Sequence, residues 1–140
     1  MGVHVEPEYL ADLLLAARAP GRLASTSTNG FPLVSTLWFL YEKQCLWCIT
    51  QERTQMRRNL ARNSHCGFEI PLTEGYQALR GQGVAHLHLE DGARVMEKMI
   101  ARYLGDDPNG PAATRLRRQA ASEYAIRIEP RWIRAVGRRE

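Results

Sequence analysis

Cysteine is scarce: three residues in 140, an odd number. That count argues against a disulfide framework, and a reducing cytoplasm is the expected compartment. Long hydrophobic runs are missing too. No stretch approaches the roughly 18 apolar residues that a membrane span needs. The opening "MGVHVEPEYL" shows no basic leader followed by an apolar block, and Glu6 stands where myristoylation needs Ser or Thr. Internal repeats, linkers and low-complexity tracts are absent, as is any recognised nucleic-acid motif. No His, Asp or Glu stands out as an obligatory acid or base, so the catalytic residues are unknown at this level.

A metal centre is not expected, although ligand types occur. Cys45-Leu46-Trp47-Cys48 is a CxxC, and His65-Cys66 follows. Zinc knuckles place that spacing on a tight turn. Here it lies in an apolar strand, where positions three apart face opposite sides. The sulfurs are read as small buried hydrophobes. His86 and His88 share one strand face, the polar outer one, because Gly83, Ala85, Leu87 and Leu89 make the inner one.

What is present fits one domain over residues 1–140. A chain of this length buries roughly 68% of its unfolded surface, enough for a core without staples. The formal charge is +4, which favours an anionic partner without selecting one. Basic residues gather late, from Arg115 to Arg139, and read as a solvated face and a frayed tail; nucleic acid is an unlikely partner.

Along the chain, residues 6–18 carry Leu10, Leu13, Leu14 and Ala17 at helical spacing, with Pro7 in the first turn. Residues 22–50 read as three strands in an antiparallel meander, buried on much of both faces. Asn29-Gly30 marks the first turn, where both residues accept positive φ, and "EKQ" marks the second. Residues 54–62 form an arginine-rich helix. "HCGFEI" is a short strand. "YQALRGQGVAHLHLE" is a long one whose Gly81 and Gly83 predict a bulge, a corner or a close approach. Asp91 to Gly105 bound an amphipathic helix, a short basic helix follows near 111–120, and "SEYAIRIEP" is the last strand. The sum is mainly β with flanking helices, a closed or half-closed antiparallel barrel of six strands.

The stretch "CITQERTQMRRNLARN", Cys48 to Asn63, changes from apolar strand to basic helix across Thr50 and Thr54. Two hydroxyls and four arginines, Arg53, Arg57, Arg58 and Arg62, meet at that strand-to-helix junction.

The order "GRLASTSTNGFPLVSTLWFLYEKQCLWCIT", "RTQMRRNLARNSHCGFEI", "GQGVAHLHLED", "YAIRIEPRWIRAV" resembles the FMN-binding split barrel, the pyridoxamine 5′-phosphate oxidase-like family of flavin- and deazaflavin-dependent oxidoreductases. The likeness covers about residues 8–136. It implies a six-stranded antiparallel split β-barrel that pairs into a homodimer, with the cofactor between subunits. It implies FMN, or the deazaflavin F-420, passing a hydride to or from a small organic substrate. The second strand, Val34, Ser35, Thr36, Leu37 and Trp38, would meet the ring. Thr50 and Thr54 would hold the phosphate with Arg53, Arg57 and Arg58, and Trp132 would close the ring pocket. One departure stands out: the family's usual Ser-x-Lys reads Thr54-Gln55-Met56 here. Neighbouring arginines would have to replace that lysine's charge; a different cofactor, weak FMN binding or a lost cofactor are the alternatives. A non-catalytic binder of flavin, haem or a related tetrapyrrole is the competing class.

Overall fold

The computed structural model describes residues 2–139; Met1 and Glu140, the ends of the expected single domain, lie outside the described residues. The chain runs β1 (Val3–His4), α1 (Pro7–Ala16), β2 (Gly21–Thr26), β3 (Pro32–Leu37), β4 (Leu40–Glu42), β5 (Cys45–Gln51), α2 (Gln55–Arg62), β6 (His65–Pro71), β7 (Tyr76–His88), α3 (Gly92–Tyr103), α4 (Pro111–Gln119) and β8 (Glu123–Arg138). All pairings are antiparallel, in the order β3-β2-β6-β7-β8-β5-β4, with β1 added to β8.

That order explains the curl. The apolar run from Phe31 to Tyr41, expected as one strand, is two: β3 pairs with β2 at one edge, and β4 pairs with β5 at the other. Only Trp38 and Phe39 separate them. The two edges of the sheet are therefore two residues apart in sequence, and the sheet must roll into a half-barrel to let the chain pass. Setting aside the two-residue β1, the half-barrel has seven strands where six were expected, because the bend divides one expected strand into β3 and β4. The meander expected over 22–50 is not formed, because β3 and β5 are not hydrogen-bonded neighbours.

Tyr103 holds the bend. Its hydroxyl donates to the Phe39 carbonyl (2.8 Å) and accepts from the Phe39 N–H (3.3 Å), and its ring stacks on Trp38 with centroids 4.6 Å apart. The backbone groups that leave the ladder are thus paired elsewhere.

The sheet is apolar on both faces. Leu23, Leu46, Cys48, Ile70, Leu79, Ile126 and Ile128 fill the inside of the curl, closed by Leu10, Leu13 and Leu14 of α1. On the outside, Trp47 and Ala125 pack against Val95, Met96, Met99 and Ile100 of α3. Cys45 belongs to the outer cluster and Cys48 to the inner one, so the CxxC sulfurs do point apart. Burial pushes the Cys66 thiol up to about 11 and the Cys48 thiol higher.

Three local expectations are corrected. At Asn29-Gly30 only Gly30 takes a positive φ; the two-residue turn with both φ positive is Lys43-Gln44. β7 stops at His88, and Leu89 sits half exposed in a 3₁₀ turn instead of on the inner face. The basic tail is not frayed: residues through Arg138 continue β8, paired with β7. The glycine expectation for β7 holds, with a register shift between Gln82 and Gly83. A Cβ on Gly83 would meet the Glu129 carbonyl oxygen at 2.6 Å.

Candidate functional site

A cavity of about 550 Å3 lies where the ring of strands stays open, a volume typical of small-molecule sites. One wall is β3 and its bend, with Ser35, Thr36, Leu37 and Trp38. The opposite wall is the end of β5 and the start of α2, with Thr50, Gln51, Thr54, Gln55 and Met56. Met96 and Met99 of α3 and Leu116 of α4 form the floor, and Glu123, the first residue of β8, completes it.

The strand-to-helix corner is built from backbone logic. Thr54 is the N-cap of α2, its hydroxyl accepting from the Arg57 N–H at 3.1 Å. The Thr50 and Thr54 hydroxyls lie 2.5 Å apart, and the Gln51 carbonyl is 3.2 Å from Thr54 Oγ1. The first N–H groups of α2, at Gln55 and Met56, have no acceptor within the helix. The helix is held in place by Asn59, which is buried. Its Nδ2 donates to Ser25 Oγ (3.2 Å) and Ser27 Oγ (3.3 Å), and its Oδ1 accepts from Gln55 (2.8 Å). Asn59 therefore fixes the angle of α2 against β2.

Of the residues expected at the site, Ser35, Thr36, Leu37, Trp38, Thr50 and Thr54 line this one cavity. Val34 does not: it projects outward from β3, 62% exposed. The arginines flank the corner without lining the cavity. Arg57 donates through Nε to the Glu52 carbonyl (2.8 Å) and lies over the Tyr124 ring. Arg58 is bonded to the Arg53 carbonyl and to Gln55. The Arg53 side chain is exposed and makes none of the described hydrogen bonds. Trp132 is elsewhere on the same chain, its Nε1 donating to Gln82 Oε1 (3.2 Å) beside Arg134. Met56, at the family's lysine position, is 3% exposed and packs into the inner core.

Two contributions escaped sequence reasoning. The methionine floor reads in sequence only as the apolar face of α3. Glu123 stands at the head of an alternating strand like any solvent-facing acid; only the fold buries it. His86 and His88 lie outside the cavity. His86 is 2.9 Å from a Glu129 carboxylate oxygen, and His88 tilts against Trp47. Among the described residues His88, Glu90 and Asp91 bring one ligand atom each within 4.8 Å of one another.

A phosphate-bearing flavin fits this site in part. The corner offers two hydroxyls and two free N–H groups, and three arginines stand within a turn of it. Among the described residues the cavity wall itself carries no cation.

The fold is shared with solved structures. An F420 reductase superposes with a TM-score of 0.69 at 22% identity over 86% of this chain and 92% of that one. A conserved hypothetical protein from Mycobacterium tuberculosis gives 0.78 at 22% identity, over 97% and 86%. The haem storage protein HutZ from Vibrio cholerae gives 0.71 at 20% identity, over 97% of each. No curated protein matches in sequence. Among the described residues no helix is long and apolar enough to cross a membrane. Residues 8–137 match the family described as Pyridoxamine 5′-phosphate oxidase, and the chain belongs to that family.

Proposed function

We propose that this chain is a flavin-dependent oxidoreductase with a six-stranded split barrel, using FMN, or alternatively the deazaflavin F-420, on a small organic substrate. The observation that carries the reading is that β3, expected at the ring, and the Thr50–Thr54 corner, expected at the phosphate, face each other across one cavity. A bound flavin or deazaflavin supplies hydride donation and acceptance. The chain's own part is to hold and orient. The α2 N-terminus and the two hydroxyls donate to phosphate oxygens, with Arg53, Arg57 and Arg58 as counter-charges beside the corner. Trp38, already stacked on Tyr103, offers a flat apolar wall. Its methionine and leucine neighbours exclude water from the ring. The working unit in this reading is a homodimer, and Trp132 joins the site only when a second copy supplies it.

The test is calorimetric titration of FMN and of the deazaflavin into wild type, Thr54→Ala and Thr54→Ser. Thr54→Ala removes a charge-assisted donor and binds several-fold more weakly, while Thr54→Ser keeps both the donor and the helix cap and restores affinity. Equal affinity in all three removes Thr54 from the site. If neither ligand binds wild type, the flavin reading fails, and an absorbance titration with haemin then tests the tetrapyrrole-binder reading.

A further inference from the structure

Among the described residues the cavity is lined by a single ionisable side chain, and it is an acid. Glu123 is 4% exposed, its Oε2 is fully buried without a partner, and the carboxyl makes no hydrogen bond or ion pair among the described residues. Its position is fixed. The backbone of Glu123 is paired with Gln51 on β5, one residue from Thr50. On the other side Gly92 presses against it so closely that a Cβ there would stand 2.1 Å from the Glu123 carbonyl oxygen. The carboxyl therefore shares a cavity with the corner where an anion would sit, and it cannot withdraw by moving its strand.

Among the described residues no neighbouring cation offsets it. On the turn after β5, Glu52 and Arg53 are exposed. On α2, Arg57 lies over the Tyr124 ring and Arg58 is tied to Arg53 and Gln55. On α3, Arg94 and Lys98 are engaged by Glu42, and Glu97 is engaged by Arg117 of α4. Arg115 and Arg118 complete the charged set of α4 without lining the cavity.

We propose that Glu123 is a selectivity residue, admitting a phosphate-bearing ligand to this cavity only in its protonated form, so that binding the anion takes up one proton from solvent. The inference rests on the flavin reading above and deepens it. Burial without a partner raises the Glu123 pKa above its ordinary value. The sign follows. Below the folded-state pKa the acid is neutral and can donate its O–H. Above it, a phosphate must share a desolvated space with a carboxylate, or draw a proton onto it. Anion binding and protonation therefore favour each other, and the linkage is reciprocal.

The experiment measures FMN and riboflavin, which differ only in the phosphate, from about pH 5.5 to about pH 8.5 with wild type and Glu123→Gln. The variant corrects for titration of the FMN phosphate itself. Relative to Glu123→Gln, wild type loses FMN affinity as pH rises, approaching roughly tenfold per pH unit above the folded-state pKa, while riboflavin shows no such difference. Calorimetry of wild type and Glu123→Gln with FMN, in buffers of different ionisation enthalpy at the upper end of that range, reads the proton uptake, the variant again subtracting the phosphate's own titration. Parallel FMN profiles for the two proteins, or no excess proton uptake by wild type over Glu123→Gln at the upper end of the range, overturn the proposal and leave the flavin reading standing. Failure of both FMN and riboflavin to bind either protein at the lowest pH overturns both.

Discussion

Gly92 and Gly30 are small for different reasons, and the difference is measurable. Gly92 has ordinary helical backbone but no room: an added methyl meets the Glu123 carbonyl oxygen. Neither partner is a flexible side chain end, so α3 or β8 must shift. Gly92→Ala is expected to cost about 2 kcal/mol by overpacking, lowering Tm by about 8 °C. Gly30 has room but a φ of +85°, and an added methyl there would find nothing within 4 Å. Gly30→Ala is expected to cost only the left-handed backbone penalty, about 1 kcal/mol, or about 4 °C. Thermal melts of the two variants check the ranking, and an equal or reversed order would refute the close approach at Gly92. Residue chemistry was legible where it depended on local backbone. Asn29-Gly30 announced a turn, and Thr54 announced a helix start. It was not legible where burial decides, and Glu123 is the clearest case, since an acid before "YAIRI" has no local mark of being enclosed.

At the scale of elements, the helices and β7 follow from periodicity and from caps, and their bounds fall close to those expected, whereas β8 runs past the expected end at Pro130 to Arg138. The failure is instructive. "FPLVSTLWFLY" is a continuous apolar run, and nothing in it signals a break between Leu37 and Leu40. The break is made by a side chain 64 positions later, when the Tyr103 hydroxyl takes both backbone groups of Phe39. A tertiary contact overrides a local strand propensity, because it satisfies what the ladder gives up. Tyr103→Phe leaves the buried Phe39 N–H and carbonyl without those partners and is expected to cost about 2 kcal/mol. Hydrogen exchange should quicken at the Phe39 amide while β6 and β7 stay protected. Unchanged exchange at Phe39 would mean that the bend is held by packing alone. Trp38 also lines the cavity, so the same variant connects the bend to ligand affinity.

For the whole molecule, the curl could be anticipated as a closed or half-closed barrel but the place of its opening could not, because sequence does not say which strand pairs are missing. The missing pair, β3 with β5, is what makes room for the cavity, so the site is a consequence of incomplete closure. Incomplete closure also leaves β3 as an edge strand with its outer face bare. Phe31, just before it, is 69% exposed, and Val34 projects from the strand between exposed Pro32 and Thr36. Apolar side chains displayed beside an unpaired edge invite a partner, and the homodimer of the proposed function would cover them with a second copy while keeping the inner wall of β3 for the ligand. Val34→Glu puts a charge into that contact without touching the cavity, since Val34 does not line it. Sedimentation equilibrium is expected to show wild type as a dimer and Val34→Glu shifted to monomer at the same concentration, with an unchanged fold by far-UV circular dichroism. If the site is completed across the dimer, FMN affinity falls with dissociation and recovers at protein concentrations that restore the dimer. A variant that stays dimeric would take β3 out of the interface. A monomeric variant that binds FMN as tightly as wild type would mean that one copy carries the whole site, and Trp132 would then have no part in it.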